Sequence, residues 1–117
     1  MDFALSPEID AARRKVRAFV REHILPVEAD PAARDGHENI SEAALAGLRD
    51  KVRAAGLWAP QMPRARGGMG LPVVGMAALY EEMNYSIFGP ACFNACAPDD
   101  GNMMVLEKVA TEAQKER

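Results

Sequence analysis

Two cysteines, Cys92 and Cys96, are the side chains best suited to redox or metal chemistry in this sequence of 117 residues. A spacing of four places them on one face of a helix, where neighbouring turns rarely hold two thiols in disulfide geometry. The only histidines, His23 and His37, lie far away along the chain, and a structural zinc site needs four ligands. We therefore expect no metal site, and two small apolar residues on a buried face.

Three short motifs suggest functions but lack parts that those functions need. Gly67–Gly70 has no following Gly-Lys-Ser/Thr and no preceding strand, so it matches neither a P-loop nor a dinucleotide-binding turn. The Asp99–Asn102 run lacks the alternating ligands of a calcium loop. Glu81 and Glu82 are adjacent on a predicted helix and point in different directions, which favours ordinary surface charge. Read from residue types alone, the chain contains no catalytic residue.

A basic cluster lies on the first predicted helix, where Asp10 and Glu22 interrupt it. We expect a solvated helix face, with contact to an anionic partner as the alternative. A formal net charge of −3 argues against a nucleic-acid partner. The basic residues are Arg13, Arg14, Lys15, Arg17 and Arg21.

The elements that position these residues are predicted to be helices. Hydrophobic residues make up 49% and charged residues 26% of the chain, which is typical of a soluble globular domain, and residues 1–117 suffice for one domain with a core. No stretch shows strand alternation. The N-terminus lacks the pattern of a signal peptide, and no run approaches the ~18 apolar residues of a membrane span. We expect a cytoplasmic protein without a transmembrane segment.

Local signals delimit the first two helices. Ser6 caps a helix whose apolar residues recur every three or four positions as far as Ile24, and Pro26 ends or kinks it. A helical turn and an exposed loop follow, before Ser41 caps a second helix. Gly56 is typical of the residue that stops a helix. The apolar stripe of the second helix comprises Leu45, Leu48, Val52 and Ala55.

Residues Gly56–Pro72, called the glycine–proline loop below, separate the second helix from a third. Proline fixes φ and glycine permits positive φ, so we expect a defined shape, with Trp58 filling the core beneath the loop. The third helix extends to about Tyr85 and is apolar nearly all round, so we expect it to be central. Its predicted inner face comprises Val73, Ala77, Tyr80 and Met83 or Asn84, widened by Val74, Met76 and Leu79.

A short apolar helix over Ala91–Ala97 follows and stops at Pro98. Two more helices come after it, one over about Asn102–Val109 and one beginning at a capping box, Thr111–Gln114. A helix that begins at Thr111 is not complete by Arg117, so we expect the sequence to be a truncated piece. The sequence predicts an all-α, bundle-like domain.

Several motifs together resemble the N-terminal helical domain of acyl-CoA dehydrogenases. In that family a helix ends in Gly-Leu and continues into a turn rich in proline and glycine, as Gly56-Leu57, Pro60, Met62-Pro63 and Gly67–Leu71 do here. The other landmarks, in the same order, are Val16–Val20 with Ile24–Pro26, Glu81-Glu82, and Gly101-Asn102 with Ala110–Lys115. Arg64 and Arg66 depart from the family's pattern; we expect them to be exposed, with contact to a carboxylate or phosphate as the alternative.

This resemblance implies one part of a three-part flavoenzyme. In the family, a glutamate removes the α-proton of an acyl-CoA while the β-hydrogen passes as hydride to FAD, and the protein supplies binding and orientation. The resemblance places the base and most of the FAD site in a middle β-domain and a C-terminal helical domain, which are absent from these 117 residues. The piece alone is then inactive and holds no FAD. The remaining roles are a wall of the acyl pocket and contacts in a homo-oligomer.

The resemblance also implies which residues line the acyl pocket. They are Phe93, Cys96 and Ala97, with Tyr80 and Met83 on the facing third helix. The alternative is that these residues are ordinary core. The same fold would also serve an acyl-CoA oxidase or a flavin monooxygenase, and a non-catalytic helical interaction module is a third hypothesis.

Overall fold

The computed structural model describes residues 4–116, and this part of the chain is helical. A π-helical turn, Val20–Ile24, joins the first two α-helices, and 3₁₀ turns occupy Pro31–Ala33 and Arg64–Arg66. Residues 4–116 form no β-strand, only an isolated bridge between Arg34 and Ile40. The all-α prediction is confirmed. The helices are α1 (Pro7–Phe19), α2 (Leu25–Ala29), α3 (Glu42–Ala54), α4 (Val73–Met83), α5 (Gly89–Cys92), α6 (Asp99–Val109) and α7 (Glu112–Lys115).

Two expectations extend beyond the described residues. The absence of a signal peptide concerns residues 1–3 as well, and the predicted last helix extends to Arg117; these four residues lie outside the description. Among the helices of residues 4–116, none combines the length and the apolar character that crossing a bilayer requires.

The predicted helix starts are confirmed by their hydrogen bonds. The Ser6 hydroxyl accepts from the Ile9 amide at 3.4 Å, and the Ser41 hydroxyl accepts from the Ala44 amide at 3.3 Å. At α7, the Thr111 amide donates to Oε1 of Gln114 at 2.9 Å, as a capping box requires. These bonds satisfy amides that have no partner within their own helix.

The end of α3 is also as predicted. Gly56 has φ +68°, and the amides of Gly56 and Leu57 donate at 3.0 Å to the carbonyls of Arg53 and Val52. This is the Schellman arrangement, in which a glycine in the left-handed region closes the helix. Leu57 is then directed into the core, where it is 3% exposed.

Pro26 does not end the first helical segment. The chain passes through the π-helical turn, and Pro26 lies in the first turn of α2, which continues to Ala29. Within the π turn the Leu25 amide donates to the carbonyl of Val20, five residues back. A proline is tolerated in the first turn of a helix because its missing N–H has no helical partner there, so the path continues.

The hydrophobic core forms where α1 packs on α4, while α3 and α4 pack on α5. Val16, Ile24, Val52, Leu79 and Met83 are among its fully buried side chains. The core also contains Phe19, Val20, Leu48, Leu57, Met76, Phe88, Cys92, Phe93 and Ala95.

Three expectations, about α4, α6 and Trp58, differ from the structure in whole or in part. In α4, Met76, Leu79 and Met83 are buried as expected, but Val73, Val74 and Ala77 are exposed. Gly75, Ala78 and Glu82 complete the buried face. Helix α4 packs on α1 and α5, and these contacts leave the exposed residues uncovered. Helix α6 begins at Asp99 rather than near Asn102. Trp58 lies half-buried at the edge of the core, where the Arg53 guanidinium stacks 3.8 Å from its ring centroid.

The molecule is a flat slab with extents of 42 × 40 × 23 Å. Its radius of gyration is 15.0 Å, whereas a compact domain of this length has about 13 Å. Its accessible surface is 7443 Å², against about 6,200 Å² for a compact monomer of the same mass. The fold therefore exposes about 1,200 Å² more surface than a self-contained domain.

Candidate functional site

The five residues predicted to line a pocket lie where α4, α5 and the start of α6 approach one another. Met83 and Phe93 are fully buried, and the Phe93 ring meets the Phe19 ring edge-on at 5.5 Å. Cys96 is half-buried and Ala97 is exposed. In this domain Met83 and Phe93 are core residues, whereas Cys96 and Ala97 lie at the surface.

Tyr80 links α4 to α6 at this surface. Its half-buried hydroxyl donates to Oδ2 of Asp100 at 2.7 Å. Burial raises the pKa of Tyr80 above its ordinary value, and the hydrogen bond to Asp100 raises it further. The phenol therefore stays protonated at neutral pH. It serves as a hydrogen-bond donor that holds the two helices together, not as a base.

The two cysteines are free. Cys92 is buried, as expected, whereas Cys96 lies beyond the end of α5 and is half-buried, so the two do not share a buried helix face. Burial raises the pKa of the Cys92 thiol to about 12. A thiol with so high a pKa is a poor nucleophile and a poor metal ligand. Among the residues that the structure describes, no group of three His, Cys, Asp or Glu side chains is arranged to hold a metal ion.

The four consecutive amides of the glycine-rich stretch, Gly67–Gly70, all donate to carbonyls within the glycine–proline loop. Gly67, Gly68 and Met69 donate to the carbonyls of Arg64, Pro63 and Pro60 at 3.0–3.1 Å. The Gly70 amide donates to the Met62 carbonyl at 3.0 Å, and a Cβ on Gly68 would lie 2.0 Å from the oxygen of Met62. A phosphate-binding loop needs free amides aimed at the ligand, so this loop has a structural role.

The clefts of this domain are small and open. A cleft between α1 and the glycine–proline loop encloses about 250 Å³, and another between that loop and α6 encloses about 210 Å³. Pockets that bury a drug-sized ligand enclose about 300–1,000 Å³.

Glu82 corrects the expectation of surface charge. It is only 1% exposed, and its oxygens accept from Arg13 Nη1 at 2.8 Å, Arg17 Nη2 at 2.5 Å and Arg17 Nε at 2.8 Å. The hydrogen bond from Arg17, supported by that from Arg13, lowers the pKa of Glu82 despite its burial. Glu81 is exposed, as expected. Two of the basic residues on α1 are thus bound to α4 and do not form a purely solvated face.

Arg64 and Arg66 are both exposed, as expected, and both also pair with carboxylates. Arg64 binds Glu8 on α1. Arg66 binds Glu107 on α6 at 3.1 Å and Glu112 on α7 at 2.6 Å. The carboxylate contact that was the alternative is therefore observed together with the exposure. The two arginines connect the loop to the N-terminal and C-terminal helices of the described chain.

Two features of the sequence could have pointed to the pairing of Glu82 with the arginines of α1. A helix that is apolar nearly all round is typically buried, so a charged residue within it, such as Glu82, needs a partner. Arg13 and Arg17 are spaced four apart, so that they share a helix face and can grip one carboxylate. No comparable pattern marks Arg66, because its partners lie 41 and 46 residues away.

Comparison with known protein families shows to which family this helical domain belongs. The family model described as "Acyl-CoA dehydrogenase, N-terminal domain" matches residues 6–117. The chain belongs to the acyl-CoA dehydrogenase family. The resemblance carried by the glycine–proline loop and the flanking landmarks is confirmed, and the helical fold agrees with it.

Relatives within the acyl-CoA dehydrogenase family are much longer than this chain. Acyl-CoA dehydrogenase family member 11 of Mus musculus is 31% identical over 98% of the chain, which spans only 15% of that protein. The Mycobacterium tuberculosis protein named "Probable acyl-CoA dehydrogenase FadE2" is 30% identical over 98% of the chain, which spans 29% of that protein. The solved structure of a candidate acyl-CoA dehydrogenase from Mycobacterium abscessus is 36% identical, with a TM-score of 0.80 over 97% of this chain and 31% of that one.

Proposed function

We propose that this chain is the N-terminal helical domain of an FAD-dependent acyl-CoA dehydrogenase, in which it forms one wall of the acyl pocket and contributes oligomer contacts. The match of the family model over residues 6–117 carries this proposal. The catalytic base and most of the flavin site belong to other parts of the complete enzyme.

Exposed apolar side chains support a role beside other domains. Val73 is 86% exposed and Ile87 is 72% exposed, while Val109 at the end of α6 is 75% exposed. Together with the excess surface, they leave apolar area that a self-contained domain would cover. The excess of about 1,200 Å² is of the order that one partner contributes to a specific interface. Neighbouring domains or subunits of the enzyme would cover it.

The acyl pocket is proposed to lie against the surface near Tyr80, with Cys96 and Ala97 closest to the substrate. Met83 and Phe93 would support this wall from beneath, because both are fully buried in the core. The apolar character of these residues suits the fatty portion of an acyl-CoA. Oligomer contacts would use the exposed apolar surface that the other domains leave free.

A domain exchange tests the proposal. The matched 31% of the Mycobacterium abscessus protein is replaced by this chain, and FAD content and acyl-CoA-dependent reduction of an electron-acceptor dye are measured. We expect the hybrid to hold FAD and to oxidise an acyl-CoA. Ala97→Trp in the hybrid should lower kcat/KM for long-chain acyl-CoA at least tenfold relative to short-chain acyl-CoA, because the indole narrows the pocket.

The matched control is Ala46→Trp, which places the same bulk on the exposed face of α3 and should leave the chain-length preference unchanged. The chain on its own should be colourless and inactive. A yellow, active isolated chain would refute the division of labour. A folded, FAD-containing hybrid whose chain-length preference ignores Ala97→Trp would refute the pocket wall.

A further inference from the structure

Four charged side chains from three separate elements meet beside the glycine–proline loop. Arg66 Nε lies 3.1 Å from Oε2 of Glu107 on α6, and its Nη2 lies 2.6 Å from Oε2 of Glu112 on α7. Lys115 on α7 completes the cluster, with Nζ 3.2 Å from Glu112 and 3.8 Å from Glu107. Two cations thus face two carboxylates, and the four charges balance within this cluster.

Helix α7 has little else to hold it in place. It spans four residues and contains no buried residue. A helix so short is not stable in water without tertiary contacts. Lys115 is its most covered side chain, 13% exposed, and it lines the same cleft as Met62, Met103 and Leu106. The docking of α7 therefore rests on this cleft and on the ionic contacts.

We propose that Arg66 is a positioning residue, which latches α7 and the end of α6 to the glycine–proline loop, and that the charge balance of this cluster sets how long α7 stays docked. The latch is a property of the chain itself and does not depend on the proposed enzymatic role.

Arginine suits this role better than lysine does. Its planar guanidinium presents several donors in a fixed geometry, so that Nε and Nη2 can grip carboxylates on two different helices at once. Hydrogen bonds to Glu112 and Glu107 raise the pKa of Arg66, and Arg66 in turn lowers the pKa of Glu112, so these two groups stay ionised at neutral pH. Exposed ion pairs are individually weak and are screened by salt. The latch is therefore expected to be reversible.

Amide hydrogen exchange on the purified chain, followed by NMR, tests the latch. The probes are the Lys115 and Glu116 amides, which donate to Thr111 and Glu112 at 3.1 Å. Arg66→Gln should accelerate their exchange about fivefold, the effect expected when two exposed ion pairs are lost together. The difference should disappear in 1 M salt, where screening is nearly complete over the pair distance. Core amides such as those of Val52 and Leu79 should keep their protection.

The matched control is Arg64→Gln, two residues away, which removes the pair with Glu8 on α1 and does not touch α7. It should leave the α7 amides within twofold of the unmodified chain. Arg66→Lys, which keeps the positive charge but loses the planar pair of donors, should restore part of the slow exchange that Arg66→Gln removes. The latch is refuted if Arg66→Gln leaves α7 exchange unchanged, or if Arg64→Gln accelerates it equally.

Discussion

Glu82 illustrates how one carboxylate can hold two helices in register. A buried carboxylate is unfavourable unless its oxygens find partners, and here three hydrogen bonds from two arginines supply them. Both arginines lie on α1 and Glu82 lies on α4, so the bonds fix the rotation of each helix about its axis. Hydrophobic packing between α1 and α4 gives the attraction, and the ion pairs give the orientation.

Glu82→Gln should lower the free energy of unfolding by about 2 kcal/mol, because it removes charged hydrogen bonds at a buried position. Equilibrium urea unfolding at pH 7 measures the change. The matched control is Glu81→Gln, an exposed neighbour that should change stability by less than about 0.5 kcal/mol. Equal effects of the two substitutions would contradict the assignment of Glu82 as the buried partner.

The same variant has a pH signature. The pKa of Glu82 is lower in the folded state than its ordinary value of 4.5. Its contribution is therefore complete above that ordinary value and is lost as pH falls through the lower, folded-state pKa. The difference in the free energy of unfolding between the unmodified chain and Glu82→Gln should therefore close in acid, below about pH 4.

Residues whose partners are local could be predicted, and residues whose partners are distant could not. Ser6, Ser41 and Gly56 act within a few positions of themselves, so their roles follow from the sequence around them. Glu82 and Arg66 depend on partners 41 to 69 residues away. A charge pattern suggests that such a residue needs a partner, but it does not say which.

At the scale of elements, the glycine–proline loop is a closed structure rather than a flexible connection. The amides of Gly67–Gly70 donate to carbonyls of the loop, and Gly68 lets the chain pass close to Met62. Arg64 connects the loop to α1, and Arg66 connects it to α6 and α7. Such a loop fixes where α4 begins relative to the end of α3. This geometric role explains why the loop identifies the family without supplying any catalytic group.

Replacing Gly56 or Gly47 by alanine should change the stability of the chain in opposite directions. Gly56→Ala should destabilise the chain by about 1 kcal/mol, because its φ of +68° is unfavourable for a residue with a Cβ even where space is free. Gly47→Ala, in the helix interior and with nothing within 4 Å of its Cβ position, should stabilise the chain by about 0.5–1 kcal/mol. Urea unfolding of the two variants measures both signs, and two changes of equal sign would contradict this assignment.

The helices could be predicted, but the exposed side of α4 could not. Apolar residues surround this helix, and such a pattern indicates burial on all sides. The prediction placed Val73 and Ala77 inside, yet the described residues leave both exposed. If the proposed domain role is right, the pattern reports contacts with parts of the enzyme outside these residues. A sequence records every contact that a helix makes, including those to other domains.

At the scale of the whole molecule, surface area is the most telling quantity. The slab exposes 7443 Å², about a fifth more than a compact monomer of its mass. Apolar side chains on α4 and α6 and in the turn after α4 contribute to this surface. A domain that made no contacts with other domains would expose less of this apolar surface. The shape is thus consistent with one component of a larger protein.

The open apolar surface should bind a fluorescent hydrophobic dye such as ANS while the chain is folded. Val73→Lys combined with Val109→Lys should reduce the dye fluorescence at least twofold, because it places charges on two of the most exposed apolar positions. Ala46→Lys on the exposed face of α3 is the matched control and should leave the fluorescence unchanged. Weak dye binding by the unmodified chain would contradict the proposed docking surface.

The thinness of the slab also bears on how the isolated domain responds to temperature. The heat-capacity change of unfolding grows with the apolar surface that unfolding newly exposes. Because this fold already leaves about 1,200 Å² of additional surface in water, less remains to be exposed than in a compact domain of equal length. The heat-capacity change should then fall below the usual ~12–15 cal/mol/K per residue. The stability curve is correspondingly flatter, so that cooling and mild warming alter the folded fraction less than in a globular domain.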